Sequence, residues 1–253
     1  MSATSRSFPH LLPKTKPVEQ SSTPLLLKGL TLLALLGVAM AFYMALFYAG
    51  TDVVQGEVQR IFYLHVPAFS GAAVAFAASV VGGVLYLRTR NAKWDALAIA
   101  GVEVGLTLSM ITIVTGAIWA RPIWNTWWTW DPRLTSCAIM ALVYAAYLLL
   151  RNGIENLDRR RTFAAIYGIL AITTVIFTFM ITRIRPDTIH PTVIGPSVTN
   201  TAQGGFAMAD AMKTTISMNS MIACFLIAPA LIWWRIRLQN ALEAVQRRRA
   251  TLD

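Results

Sequence analysis

The sequence predicts an all-α integral membrane protein with six transmembrane helices, both termini cytoplasmic, and a tryptophan-rich interfacial segment on the outer side. Three observations carry this expectation. Only 13% of the 253 residues are charged and the mean hydropathy is +0.55, whereas a soluble domain carries charge at about a quarter of its positions. Six apolar runs, each near the roughly 20 residues needed to cross a bilayer core, follow one another along the chain. The net charge of +10 sits in short clusters between those runs. That is how membrane proteins distribute charge, and it removes the reason to read the basicity as nucleic-acid binding.

The elements follow in order. Residues 1–24, rich in Ser, Pro and Lys, read as a disordered cytoplasmic tail; they lack the compact charged-then-apolar layout of a cleaved signal. The expected spans are Leu25–Ala49, Ile61–Leu87, Ala96–Ile118, Pro132–Leu150, Phe163–Thr182 and Thr214–Trp234. They form one membrane domain over 25–235, followed by a cytoplasmic C-terminal tail over 236–253. The fourth span has a marked start: Asp131 suits an N-cap, and Pro132 suits the first turn, where its missing N–H has no helical partner to lose. Of the 22 Lys and Arg residues, 16 lie in the two tails and the 88–95 and 151–162 loops, counting Lys28 and Arg235 at the adjoining span ends. The other side holds Arg60, Arg121, Arg133, Arg183, Arg185 and Lys213. The positive-inside rule therefore turns loops 50–60, 119–131 and 183–213 outward. Cys137 and Cys224 both fall inside apolar runs and read as small buried residues, not as a redox pair.

The unusual residues gather on the outer side. Loop 119–131 holds Trp119, Trp124, Trp127, Trp128 and Trp130, five of the eight tryptophans. An aromatic belt would spread tryptophans over many helix ends. On a helix, Trp124, Trp127, Trp128 and Asp131 would share one face, a platform for a large flat aromatic ligand. His65 lies near the outer end of the second span and His190 lies between prolines in the last outer loop, while His10 is an ordinary tail residue. Two neutral imidazoles on the same side as the indoles are a candidate pair of axial ligands for haem iron. Arg60, Arg121, Arg133, Arg183 and Arg185 are candidates to pair with carboxylates of such a ligand or to anchor at the membrane edge. Glu103, inside the third span about two turns from its cytoplasmic end, is an expensive ionisable residue that is functional, snorkels or stays protonated, with no assigned role.

The run Trp124-Asn-Thr-Trp-Trp-Thr-Trp-Asp-Pro-Arg-Leu-Thr-Ser136 resembles the WWD signature of haem-handling proteins in cytochrome c biogenesis. The His-Val-Pro around His65, one outer histidine on each flank of the signature, and six spans resemble the CcmC (haem exporter protein C) family in particular. The likeness covers roughly residues 25–235, with the WWD segment at 119–136. Asn125 departs from the usual Gly of the signature, and Arg-Pro-Asp-Thr-Ile precedes His190 in place of a Trp-rich lead-in. The resemblance implies a non-enzymatic protein of the bacterial inner membrane that holds haem b at its outer face. His65 and His190 would be the iron ligands, and Trp119, Trp124, Trp127, Trp128, Trp130, Asp131 and Arg133 would contact the cofactor. It implies delivery to a periplasmic haem chaperone (CcmE-like), with ABC transporter subunits (CcmA/CcmB-like) and a small CcmD-like helix as further partners.

Several alternatives remain at this point. A CcsA-like subunit of a cytochrome c synthase shares the tryptophan loop but usually has more helices and histidines. A b-type electron-transfer cytochrome would place its histidines inside facing helices. A small-molecule permease would carry polar or broken helices at the bilayer midplane. The sequence holds neither a GxxxxGK[ST] phosphate loop, so any ATP-driven step belongs to a partner, nor a CxxCH attachment motif.

Overall fold

A computed structural model describes residues 22–185, 187–190 and 208–249. All but the last three residues of the tail expected over 1–24, and most of the loop after His190, lie outside the described residues. Helix α1 (Leu25–Tyr43) runs into a π turn at Met44–Tyr48. A 3-10 turn at Glu57–Ile61 leads into α2 (Phe62–Thr89). Then come α3 (Ala92–Trp124), α4 (Pro132–Asn152) and α5 (Leu157–Ile184). The last rod is α6 (Asp210–Ile222), a π turn at Ala223–Ile227, and α7 (Ala228–Arg249). Six of these rods, counting Asp210–Gln246 as one, are long and apolar enough to cross a membrane. The expected number of spans is met, and the chain is built as a multi-pass membrane protein.

Local chemistry sets the boundaries. Arg90 closes α2 in the left-handed conformation, and the Asn91 side chain accepts from the Lys93 amide to open α3, which makes α2 and α3 a tight hairpin. Asp131 caps α4 by accepting from the Leu134 amide at 2.8 Å, with Pro132 in the first turn, as its sequence context predicts. Several helices begin ahead of expectation, α3 at Ala92, α5 at Leu157 and α6 at Asp210, and two end well beyond it. Helix α3 continues past Ile118 to Trp124, and the last helix continues past Trp234 to Arg249. In the first case Pro122 costs only the Ile118 carbonyl its helical partner, and the chain stops where Asn125 takes a left-handed conformation (φ 54°). In the second, polar residues end the hydropathy run without ending the helix.

The core forms around the α2–α3 seam. A Cβ on Gly101 would stand 2.5 Å from the Ala75 carbonyl oxygen, and one on Gly82 would stand 2.6 Å from the Ala98 nitrogen. The two backbones are therefore in direct contact, the small-residue packing by which helices associate where water supplies no drive. Farther in, Phe76 of α2 stacks on Tyr144 of α4, ring centres 3.7 Å apart. At the end away from the 119–131 tryptophans, Asp95 of α3 is buried and takes both Arg151 bonds, at 2.6 and 2.5 Å, and one from Arg161 at 3.3 Å. Arg161 reaches Glu243 of α7 at 3.7 Å, and Glu103 is paired with Arg235 of α7 through a 2.9 Å bond. Glu103 thus belongs to an ionic layer that ties α3, α4, α5 and α7 together and keeps each buried charge compensated.

One break in α2 bears on the site. Pro67 has no N–H, so the Tyr63 carbonyl loses its helical donor. Asn219 of α6, buried, supplies one: its Nδ2 donates to Tyr63 at 3.0 Å and to the Ala41 carbonyl at 3.3 Å. The segment carrying His65 is thereby held against α6 and α1, and not left as a loose kink.

Candidate functional site

A cavity of about 360 Å³ opens at the tryptophan end, between α2, α3, α4 and α5. That size lies in the range of roughly 300–1,000 Å³ found for organic ligands. His65 and Phe69 enter it from α2, Trp119 and Trp124 from α3, Trp128 from the following loop, Arg133 from α4, Arg183 from α5 and His190 from beyond α5.

The two histidine rings lie close together in the cavity wall. Their ring centres are 6.3 Å apart and their planes are 32° from parallel. A metal–imidazole bond is about 2 Å and the ring centre lies about 1 Å beyond the nitrogen, so two imidazoles sharing one ion have centres about 6 Å apart. The observed separation fits that span. His65 Nδ1 lies 2.9 Å from the Thr112 carbonyl oxygen and 3.3 Å from the Thr115 hydroxyl. His190 is held through its backbone: its amide donates to the Thr188 hydroxyl at 3.2 Å, and that hydroxyl donates to the Asp131 carboxylate at 2.6 Å. Asp131 therefore serves α4 with one oxygen and the His190 segment with the other. Just before it, the Arg185 guanidinium bonds Asp187 and holds that carboxyl below the usual carboxylate range.

Indoles wall the cavity. Trp119 and Trp124 meet edge to face at 5.0 Å, and Trp124 meets His190 at 6.4 Å. The Trp119 N–H donates to Gln55 at 2.9 Å, which pins the loop between α1 and α2 over the site. The Trp128 N–H is buried and finds no partner among the described residues. Arg133 lies 5.1 Å from the Phe69 ring centre and 6.0 Å from that of Phe179, and it donates to the Thr178 carbonyl. Such a planar cation, stacked and only partly used by the backbone, retains donors for a carboxylate.

The expected site is partly rearranged. His65, His190, Trp119, Trp124, Trp128 and Arg133 line one cavity. The shared helical face of Trp124, Trp127, Trp128 and Asp131 does not form, because α3 stops at Trp124 and the next residues are irregular. Trp127 and Trp130 do not line the cavity and stay exposed, at 59% and 75%. Asp131 does not line it either and acts through Thr188. Of the five arginines expected on the outer side, Arg60 donates to the Ala45 and Leu46 carbonyls and Arg121 to Asn125. Arg185 pairs with Asp187, which leaves Arg133 and Arg183 in the cavity wall. Asn125, where the signature has Gly, keeps the left-handed cap, which Asn tolerates better than other residues with side chains. Sequence reasoning missed Thr112, Thr115 and Gly116, whose i, i+3, i+4 spacing on α3 was the available signal, and Thr188, which no local pattern marks.

The family model for heme exporter protein C matches residues 14–251. The chain is 36% identical over 134 residues to heme exporter protein C of Paracoccus denitrificans, covering 53% of this chain and 54% of that protein. It is 34% identical over 130 residues to heme exporter protein C of Escherichia coli strain K12, covering 51% of each. A ccmC-like mitochondrial protein of Marchantia polymorpha is 36% identical over 110 residues, 44% of this chain and 48% of that one. The chain spans about half the length of the curated relatives it matches. The family match over residues 14–251, on a fold with the six expected spans, establishes that the chain belongs to the haem exporter protein C (CcmC) family.

Proposed function

We propose that this chain binds haem b in the tryptophan-walled cavity, with the iron between His65 and His190, and hands it to a haem chaperone on the outer side of a bacterial inner membrane. The observation that carries the reading is the pair of imidazoles 6.3 Å apart across a cavity faced with indoles. Among the described residues no group of three or more His, Cys, Asp or Glu gathers to hold a bare metal ion. Two imidazoles suit an ion whose other ligands travel with it, as the four nitrogens of a porphyrin do. The Trp119, Trp124 and Trp128 rings offer flat apolar contact, and Arg133 with Arg183 offers cations to the propionates. Trp127 and Trp130, exposed beside the cavity, are surfaces a chaperone can meet without entering it. With the termini cytoplasmic, as the positive-inside rule favours, the ionic layer of Asp95 and Glu103 lies toward the cytoplasm and the cavity lies outside. CcmA/CcmB-like transporter subunits and a CcmD-like helix complete the assembly, and any ATP-driven step is theirs.

The test is a hemin titration of the purified, detergent-solubilised protein beside His65→Ala and His190→Ala, followed by a pyridine haemochrome assay of the haem type. A six-coordinate low-spin spectrum in the wild type, lost in each variant, is expected. Wild-type protein that takes up no hemin, or variants with unchanged spectra, would remove the reading.

A further inference from the structure

We propose that Thr112, Thr115 and Gly116 of α3 are positioning residues that fix His65 in one tautomer, proton on Nδ1, and present Nε2 to the iron; the second half of this rests on the haem reading above. The argument is an account of donors. The Thr112 carbonyl, 2.9 Å from His65 Nδ1, can only accept. The Thr115 hydroxyl, 3.3 Å from the same nitrogen, has a single hydrogen. That hydrogen has a backbone acceptor on its own helix, either the Ile111 carbonyl at 2.7 Å or the Thr112 carbonyl at 3.1 Å. Both groups therefore turn lone pairs toward His65. An unprotonated Nδ1 would face two acceptors with no hydrogen between them, so the proton of a neutral ring sits on Nδ1 and the ring's free lone pair sits on Nε2.

Gly116 fixes where the ring lies. A Cβ at position 116 would stand 2.8 Å from His65 Cε1 and 3.2 Å from Nδ1, but 3.9 Å from Nε2. The Cε1–Nδ1 edge thus rests on the glycine and Nε2 is the ring nitrogen farther from α3. Any side chain at 116 pushes the edge away from Thr112 and Thr115 and so breaks the orientation and the tautomer together. Thr112, Thr115 and Gly116 fall at i, i+3 and i+4, so one strip of α3 performs all three tasks. The Gly-rich seam below holds that strip at fixed distance from α2. An Nδ1–H that donates to a carbonyl also makes Nε2 a stronger donor to a metal, as second-shell partners do for ligating histidines.

Two experiments test this. The first needs no haem: nitrogen NMR of 15N-histidine-labelled protein in detergent, with the His65 signals assigned by their loss in His65→Ala. A neutral ring with its proton on Nδ1 is expected, and a proton on Nε2 would overturn the proposal. The second is hemin titration of Gly116→Ala, Thr115→Val and Thr115→Ser. Gly116→Ala should bind about tenfold more weakly or worse and lose low-spin bands. Thr115→Val should lose less, because the Thr112 carbonyl remains, and Thr115→Ser should match the wild type. A Gly116→Ala protein with unchanged melting temperature that binds hemin with wild-type affinity and spectrum would sink the positioning role. If Gly116→Ala fails to fold, the NMR result and the Thr115 pair decide. If the wild type binds no hemin at all, the haem reading falls, and the tautomer measurement still judges this part separately.

Discussion

Thr188→Val tests the linkage between the WWD segment and His190 at a single hydroxyl. The change is nearly isosteric, and Thr188 is buried at 3% exposure, so little is lost by way of contact area. What goes is the hydroxyl that donates to Asp131 at 2.6 Å and accepts from the His190 amide at 3.2 Å. A hydrogen bond to a charged acceptor contributes about 1.5–3 kcal/mol. That bond ties the His190 segment to the start of α4, so its loss falls on the ordering of His190 more than on the bundle. Since each 1.4 kcal/mol is tenfold in affinity, hemin Kd should rise by about tenfold to a hundredfold. The assay is Soret titration, with thermal unfolding as the control. Asp131→Ala should match or exceed the effect, because it also removes the α4 cap, worth about 1 kcal/mol. A double-mutant cycle of the two should give a coupling of similar size to the single Thr188 effect. Thr188→Val protein with wild-type Kd and an unchanged low-spin spectrum would refute the claim that Asp131 acts through Thr188.

Three further outcomes follow. Asp95→Ala leaves Arg151, 4% exposed, as a buried charge without its main partner, and breaking such pairs costs about 3–5 kcal/mol; the melting temperature in detergent should fall clearly, and an unchanged value would show that the ionic layer is not structural. Arg133→Ala should weaken hemin binding by about tenfold or more, as loss of a charge-assisted bond predicts, while barely affecting the dimethyl ester of the same porphyrin; equal losses for both would assign Arg133 to packing against Phe69 and Phe179 instead. Val53→Cys, at a fully exposed position between α1 and α2, should react in intact cells with a membrane-impermeant maleimide added from outside. Protection until the cells are opened would invert the proposed orientation.

The spans were legible because length and hydropathy are set by the bilayer, and the start of α4 because Asp131 and Pro132 are local signals. The extension of α3 to Trp124 was not legible. Pro122 and the polar, aromatic residues around it suggest a loop, yet near a helix end a proline removes only one bond, and the decisive signal was the left-handed Asn125. Misplacing that end put Trp127 on a shared face with Trp124, when the helical period had already ended. The continuation of α7 was hidden for a related reason: hydropathy marks where the membrane stops, not where hydrogen-bonded backbone stops. Of the residues that line the cavity, His65, Trp119, Trp124, Trp128 and His190 stand out by residue type and expected side of the membrane, and Arg133 by the WWD signature. Their supports were not. Glu103 and Arg235 are 132 residues apart, and Thr188 and Asp131 are 57 apart, so those pairings exist only after the chain has folded.

The backbone-to-backbone contact of α2 with α3 has a consequence for how the site can move. A seam in which Gly101 leaves no room for even one carbon permits neither sliding nor separation, so His65 travels with that hairpin as part of one body. Trp119 and Trp124 are carried by the same hairpin at the far end of α3, and Trp124 meets His190 at 6.4 Å. One stiff pair of helices therefore sets an imidazole and two indoles together, and a change that loosens the seam would disturb all three at once.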